Sequence, residues 1–323
     1  MGLDPRRVFD DNESLWWRGA GEEPPHAPLA GPRRADVAVI GAGFTGISTA
    51  YHLAKRFPEL GVVVLEAKRV ANGASGRNGG LVLTGVNGAH GGPPDVAKRI
   101  YDATSEGIDL VEGLIREHAI ETRFRRDGVL EAFTSEARAE AAAKDVEAQR
   151  AAGLPLSFLS GAALRARLDA RGVVGAVLDP NAGQLDGVRY LRGLARVTAG
   201  LGVAIHEGTP VVRVTEGPEI LLETPRGDVR ARAIVLATNA YTPALGYFRG
   251  GLFPLQSHLV GTAPLGADAW RAAGLAPDVA GFSDDLDRLA YGSMTPQGEL
   301  VFGGGSNAAY TYRFGGGTRA LAD

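Results

Sequence analysis

The sequence predicts an α/β fold, and three observations within residues 35–66 predict it. Val37, Val39 and Ile40 form an apolar run that reads as a buried strand. Gly41-Ala42-Gly43-Phe44-Thr45-Gly46 then opens a helical pattern, with Ile47, Ala50, Tyr51 and Ala54 recurring on one face. Gly61 breaks the chain before a second apolar run, Val62-Val63-Val64-Leu65, which ends at Glu66.

Each residue of this strand–turn–helix–strand unit has a physical task. Gly41 permits the tight turn out of the strand, and Gly43 lets backbone approach a pyrophosphate. Gly46 lets helix and strand pack with no side chain between them. The helix N-terminus aims unpaired N–H groups and partial positive charge at the diphosphate. Glu66 stands where an acid accepts hydrogen bonds from ribose hydroxyls. The distance from Gly41 to Glu66 is a little over the usual roughly 20 residues, as one further helical turn would make it. An unrelated tight turn would leave three glycines at these offsets without a cause. The unit is therefore read as Rossmann-like and as the seat of a dinucleotide, which makes the chain a candidate redox enzyme.

Bulk properties exclude several other classes. At 323 residues the chain is long enough for about two domains. Its 45% hydrophobic and 22% charged content is that of a globular protein. A net charge of −3 gives no reason to expect nucleic acid or an anionic membrane as a partner. No apolar run approaches the ~20 residues of a membrane span, and the N-terminus has no secretory h-region, so a cytoplasmic location is expected. The absence of cysteine excludes disulfides, thiolate catalysis, iron–sulfur clusters and thioether-linked cofactors. The six histidines show no metal spacing, so no metal is expected.

Residues 1–34 read as an irregular arm, with Trp16 and Trp17 tucked against the body. Residues 67–94 are glycine-rich and too long for an idle connection. Residues 95–119 read as a helix with Val96, Ile100, Ile108, Val111, Leu114 and Ile115 toward a core. Arg123–Phe133 reads as a hairpin or strand around Asp127-Gly128, and Ser135–Ala152 as a charged helix ended by Gly153 and Pro155. A short helix at Ser160–Leu168 and a strand at Gly172–Leu178 follow. Helix Val188–Ala199 leads into strand Val203–His206. Val211–Thr215, Ile220–Thr224 and Val229–Leu236 read as a β-meander, and residues 252–264 and 289–303 as long strands. Gly303–Asn307 mimics half a nucleotide fingerprint, but no amphipathic helix follows, so it reads as a bulge or turn.

Three features favour FAD over NAD. The loop Gly73–Gly80 carries Ser75, Arg77 and Asn78, which suit a diphosphate and a flavin edge. The late strand in Ala231–Pro243 ends in small residues that admit a cofactor. A reductase fed by NAD(P)H would need a second nucleotide unit, and the chain has one convincing fingerprint.

On these residues the chain resembles the FAD-dependent D-amino-acid oxidase (DAO) superfamily, which includes glycine, sarcosine and amino-acid oxidases. It is most similar to the γ-glutamylputrescine oxidase-like branch. The resemblance rests on Ser14–Trp17, the GAGFTG turn with Glu66, Ala74–Gly80 and Ala237–Pro243, and continues through Phe253–Leu265 and Leu289–Gly305. It implies an α+β organisation overall, with a Rossmann-like FAD domain interleaved with an antiparallel-sheet substrate domain. After the arm, residues 35–94 and 186–248 would form the FAD domain, and residues 95–185 and 249–323 the substrate domain. The strand at 203–206 would be a third parallel strand, with the meander lying across it. Cofactor contacts are implied at Gly41, Gly43, Phe44, Thr45, Gly46, Glu66 and Ala67, and at Ser75, Arg77, Asn78, Gly79 and Gly80. Backbone around Val211-Val212 would meet adenine, and Ala237, Thr238 and Asn239 would lie near the diphosphate. Members of the family continue with a strand, a glycine-rich turn on the flavin ring and a last helix. The resemblance thus implies that a C-terminal segment of the FAD domain is missing from a sequence ending at Asp323.

The implied reaction is FAD-dependent oxidation of a C–N bond in a small amine or amino acid, with O2 or an electron carrier as acceptor. His258 and Tyr291 are the candidate catalytic residues, and Arg77, Arg288 and Arg313 the candidates for a substrate carboxylate. Some sarcosine-oxidase-like relatives place a lysine on the strand corresponding to Glu299–Phe302. Val301 stands there and no lysine follows Lys144, which favours a dehydrogenase over an oxidase. Two other readings stay open: an NAD-dependent dehydrogenase, and a non-catalytic FAD-binding subunit or inactive fragment.

Overall fold

A strand that must be buried on both faces reads as a continuous apolar run, and Val62–Leu65 is such a strand, with all four residues buried. Everything that positions the nucleotide turn is built outward from it. The computed structural model describes residues 14–85, 93–252, 258–285, 290–295 and 297–304.

The chain begins with α1 (Leu15–Ala20), β1 (Arg33–Ile40), α2 (Phe44–Arg56) and β2 (Val62–Leu65). Next come β3 (Leu81–Val82), α3 (Pro94–Glu117), β4 (Phe124–Arg125), β5 (Val129–Phe133), α4 (Glu136–Ala151), β6 (Ser157–Leu159), α5 (Gly161–Arg165), β7 (Gly175–Asp179) and β8 (Gly183–Leu185). They are followed by α6 (Gly187–Gly200), β9 (Ala204–His206), β10 (Arg213–Thr215), β11 (Ile220–Glu223) and β12 (Val229–Leu236). The order closes with β13 (His258–Gly261), α7 (Ala267–Ala272), β14 (Gly281–Asp284), β15 (Tyr291–Met294) and β16 (Leu300–Gly304).

The described residues up to Arg77 and from 187 to 252 form one compact unit, and those at 78–186 and 258–304 form another. The breaks fall after Arg77, after Asp186 and between 252 and 258, where the sequence reading put 94, 185 and 248.

The first unit contains a six-stranded sheet in the order β10-β11-β12-β1-β2-β9. β12, β1, β2 and β9 run parallel, with Val39 opposite both Val235 and Val64. Its core joins Ala38, Ile40, Val63, Leu65, Val211 and Leu222. The helix α2 buries Gly46, Ile47, Ala50, Tyr51 and Ala54, the expected face, and packs against α6. The meander forms as read, but it does not lie across β9. β12 pairs in parallel with β1, so the meander extends the sheet from the edge opposite β9. The arm is also less irregular than its composition suggests. Ser14 caps α1 by accepting from the Trp17 amide at 3.2 Å, and Trp16 is buried.

The second unit contains a seven-stranded sheet, β13-β16-β15-β14-β5-β7-β6, and a three-stranded sheet, β3-β8-β4. All pairs are antiparallel except β5 with β14. Leu130, Ala132, Leu164, Leu168, Ala176 and Met294 form its main core. The Asp127-Gly128 hairpin does not form. Gly128, at φ +89°, donates to the Ala182 carbonyl, β4 pairs with β8, and β5 pairs with β7 in the other sheet. The region read as one long strand at 289–303 is the β15–β16 pair joined by a turn. The long strand read at 252–264 is described only from β13, because 253–257 lie outside the described residues, as does most of Gly303–Asn307. Among the described residues no helix is long and apolar enough to cross a membrane.

Candidate functional site

The Gly41–Gly46 turn leaves β1 where the sheet order reverses between β1 and its neighbours, with α2 starting at Phe44. Gly41 holds φ +103°, and its amide donates to the Leu65 carbonyl at 2.9 Å. A Cβ at Gly41 would stand 2.6 Å from the Ala237 carbonyl oxygen. At Gly46 it would stand 1.8 Å from the Gly41 carbonyl oxygen. At Gly43 it would meet the Ser75 hydroxyl at 2.8 Å. The three glycines thus let the turn, Ala237 and Ser75 pack closely around the positive end of α2.

Ser75 sits over that end. Its hydroxyl accepts from the Phe44 amide, the first of α2, at 3.0 Å. The same amide would serve a phosphate oxygen, so a serine hydroxyl and a diphosphate suit the same surface. Phe44 turns its ring toward Tyr190 of α6, with 6.2 Å between centroids. Thr45 turns outward, onto a groove shared with Ser48, Thr49 and His52.

Glu66 ends β2 and braces the site. One carboxylate oxygen accepts from the Ala42 amide at 2.8 Å and the other from the Lys68 amide at 2.9 Å. Burial pushes its carboxyl above the ordinary range, while the Lys68 and Ala42 amides pull it down and the nearby Glu207 raises it. The Ala67 amide is a third backbone partner of the carboxylate, and of its four acceptor positions one is left for a ribose hydroxyl. Ala67 is half-buried beside it.

Ala237 and Thr238 follow β12 directly above the turn. The Ala237 amide donates to the Ile40 carbonyl, and the Thr238 and Thr242 hydroxyls share a 2.8 Å hydrogen bond. The strand stops at Leu236, and a 3-10 helix begins at Asn239, which holds φ +45°. Val211 is buried in the sheet core, and the Val212 amide donates to the Glu223 carbonyl. Arg77 donates through Nε to the Asn72 carbonyl at 2.8 Å, closing its own loop. The structure therefore brings Gly41, Gly43, Phe44, Gly46, Glu66, Ser75 and Ala237 together. These residues fit an adenine dinucleotide: a glycine turn whose packing admits no Cβ, a helix N-terminus, and a half-buried acid at the sugar position.

In the second unit, the Asn78 side chain accepts from the Gly80 amide at 2.8 Å, and the Gly79 carbonyl accepts from the buried Ser293 hydroxyl. Tyr291 lies flat against this loop. A Cβ at Gly79 would meet its ring at 2.8 Å, and one at Gly303 at 2.6 Å. Tyr291 and Leu259 both stand opposite Gly303, whereas position 258 stands opposite Gly304. The side chain of His258, and Arg288 and Arg313, lie outside the described residues.

Two contributors carry no sequence signal. Glu207 is buried and accepts from the Val70 amide at 2.6 Å and from the His26 amide. Arg192 is buried against Trp17. Each meets partners well over a hundred positions away in the chain, beyond the reach of any local pattern.

Comparison with known proteins places this geometry. A family model described as FAD dependent oxidoreductase (DAO) matches residues 36–321. A probable oxidoreductase, OrdL, of Haemophilus influenzae is 30% identical over 300 residues, covering 87% of this chain and 67% of that protein. The gamma-glutamylputrescine oxidoreductase of Escherichia coli is 27% identical over 310 residues, covering 92% and 71%. The crystal structure of glycine oxidase from Geobacillus kaustophilus superposes with a TM-score of 0.67 at 22% identity, over 85% of this chain and 73% of that one, and shares the fold.

Proposed function

The chain belongs to the DAO family of FAD-dependent oxidoreductases, and on that premise we propose that it oxidises a carbon–nitrogen bond of a small amine or amino acid. One observation carries the reading. The Gly41–Gly46 turn at the start of α2 packs too closely to admit a Cβ at any of its three glycines, in a chain similar over most of its length to an enzyme named for a polyamine conjugate. Family membership sets aside the nicotinamide reading of the same turn.

FAD, when bound, supplies the two-electron acceptor, and the protein supplies placement and electrostatics. The α2 N-terminus and the Gly41–Gly46 backbone hold the diphosphate. Glu66 would hold the sugar, and its backbone partners Ala42, Lys68 and Ala67 fix it before the cofactor arrives. The Ser75 hydroxyl, which accepts from the Phe44 amide, stands at the same helix end. Tyr291 forms a substrate wall, because glycine at 79 and 303 lets its ring settle against backbone. The substrate nitrogen would enter neutral, so that its lone pair is free to form the C=N bond as the neighbouring C–H bond gives up its electron pair. The acceptor we infer is an electron carrier rather than O2. In support, Val301 is buried on β16 where a lysine would assist oxygen, and no lysine follows Lys144.

Anaerobic titration with a panel of primary and secondary amines tests the proposal. The visible flavin band should bleach with at least one amine or amino acid, and re-oxidise faster with a dye or quinone than with air. A flavin that no amine bleaches would overturn the proposed reaction while leaving cofactor binding intact.

A further inference from the structure

Residues 14–23 converge on one short piece of the cofactor loop. The Ser14 hydroxyl, besides capping α1, donates to the Gly76 carbonyl at 2.6 Å. The Trp17 indole lies between two guanidinium groups, with Arg192 at 4.2 Å and Arg69 at 5.3 Å from its rings. Those arginines also hold the arm beyond Trp17. Arg192 donates to the Gly21 carbonyl at 2.7 Å, Arg69 donates to the Glu23 carbonyl at 2.6 Å, and Arg196 pairs with the Glu23 carboxylate. Gly76 is wedged where arm, loop and α6 meet. A Cβ there would stand 2.3 Å from the Ala71 carbonyl, 2.8 Å from Val188 and 3.2 Å from the Trp17 ring nitrogen. One residue earlier, Ser75 is pinned from both sides. Its carbonyl oxygen lies 2.5 Å from where a Gly187 Cβ would be, and its hydroxyl accepts from the first amide of α2.

We infer that residues 14–23 are a latch that sets the Ala74–Arg77 loop against the phosphate end of α2, so that docking of the arm and binding of FAD strengthen each other. Ser14 and Trp17 are positioning residues, acting through Gly76 and Ser75. The inference rests on FAD occupying the Gly41–Gly46 cradle. Coupling of this kind is reciprocal: whatever the docked arm adds to FAD affinity, bound FAD adds to arm docking. The indole is held by its faces. Its ring nitrogen is buried and has no hydrogen-bond partner among the described residues, so a phenyl ring should serve in its place.

The test compares the full chain with Trp17→Ala, Ser14→Ala and Trp17→Phe. FAD is titrated into each apoprotein, and tryptic cleavage after Arg18 is followed by mass spectrometry with and without FAD. Trp17→Ala should raise the FAD dissociation constant roughly tenfold or more, and Trp17→Phe should stay within about threefold of the parent. Ser14→Ala should raise it several-fold, and FAD should slow cleavage after Arg18 in the parent protein. An arm that merely stabilises the fold would lower the melting points of apo and FAD-bound protein alike and leave the dissociation constant unmoved. Folded Trp17→Ala with parental FAD affinity overturns the latch, as does arm cleavage at equal rates with and without FAD. Should Trp17→Ala not fold, Ser14→Ala and the parent's cleavage rates decide. Parent protein that takes up no FAD at all would instead refute the cradle, and the latch with it.

Discussion

Replacing Gly46 by alanine adds one methyl group where the structure leaves no room. The new carbon would stand 1.8 Å from the Gly41 carbonyl oxygen and 2.9 Å from its carbon, and both are backbone atoms that cannot rotate away. Ordinary contact begins near 3.4 Å, so the first turn of α2 must retreat by the difference, about 1.6 Å. Over-packing of this kind costs about 1–3 kcal/mol of stability. The larger effect falls on the cofactor. A retreat of that size takes the α2 amides out of hydrogen-bond range of the diphosphate, and bonds to a charged group are worth about 1.5–3 kcal/mol each. Losing two of them weakens FAD binding by roughly a hundredfold or more. Titration of apoprotein with FAD, followed by quenching of flavin fluorescence, reads the dissociation constant, and urea midpoints read stability. Gly107→Ala is the control. It lies inside α3 with nothing within 4 Å of a Cβ, so it should add about 0.5–1 kcal/mol of stability and leave FAD affinity alone. Parental affinity and stability in Gly46→Ala would refute the steric argument for this turn.

Glu66→Gln tests burial at the sugar position. Burial raises the folded carboxyl above its ordinary 4.5, so the folded protein holds this proton more tightly than the unfolded chain. The contribution to stability is greatest below 4.5 and is lost as pH rises through the higher folded value. The stability of wild type minus that of Glu66→Gln should therefore fall with rising pH across that window in urea titrations, and a flat or rising difference would contradict it. Tyr291→Ala should raise the KM for the bleaching amine roughly tenfold with FAD retention unchanged, and lost FAD retention would remove Tyr291 from the substrate wall. Tyr101→Phe is a test away from the cofactor. Its hydroxyl donates to Asp179 at 2.9 Å, and burial followed by the Asp179 charge holds its proton well above the ordinary range. Stability should fall by about 1 kcal/mol with FAD affinity unmoved, and an unchanged urea midpoint would show that the bond contributes nothing.

The parts of the fold legible in the sequence are those with short-range causes. β1, α2 and β2 announce themselves because burial on two faces, a one-sided helix and three clash-free glycines each leave a local pattern. The buried set of α2, from Ile47 to Ala54, follows from spacing alone. The failures have long-range causes. Asp127-Gly128 carries the same signal whether it closes a hairpin or, as here, turns the chain from one sheet into another. What decides is the Gly128 bond to Ala182, more than fifty residues on. The edge at which the meander joins depends on β12 pairing with β1, which no property of residues 211–236 specifies. At the site, Gly41, Gly46 and Glu66 were readable because their chemistry is set by chain neighbours. The clasp of Trp17 by Arg69 and Arg192 was not, since an arginine on a helix face gives no sign of the partner it meets.

The most direct measurement is calorimetric titration of FAD into apoprotein, with the visible spectrum of the product. The account predicts saturation at one FAD per chain, a yellow protein, and loss of both in a Gly46→Ala, Glu66→Ala double variant that stays folded. A folded parent protein that gives no binding heat and remains colourless in excess FAD would contradict it.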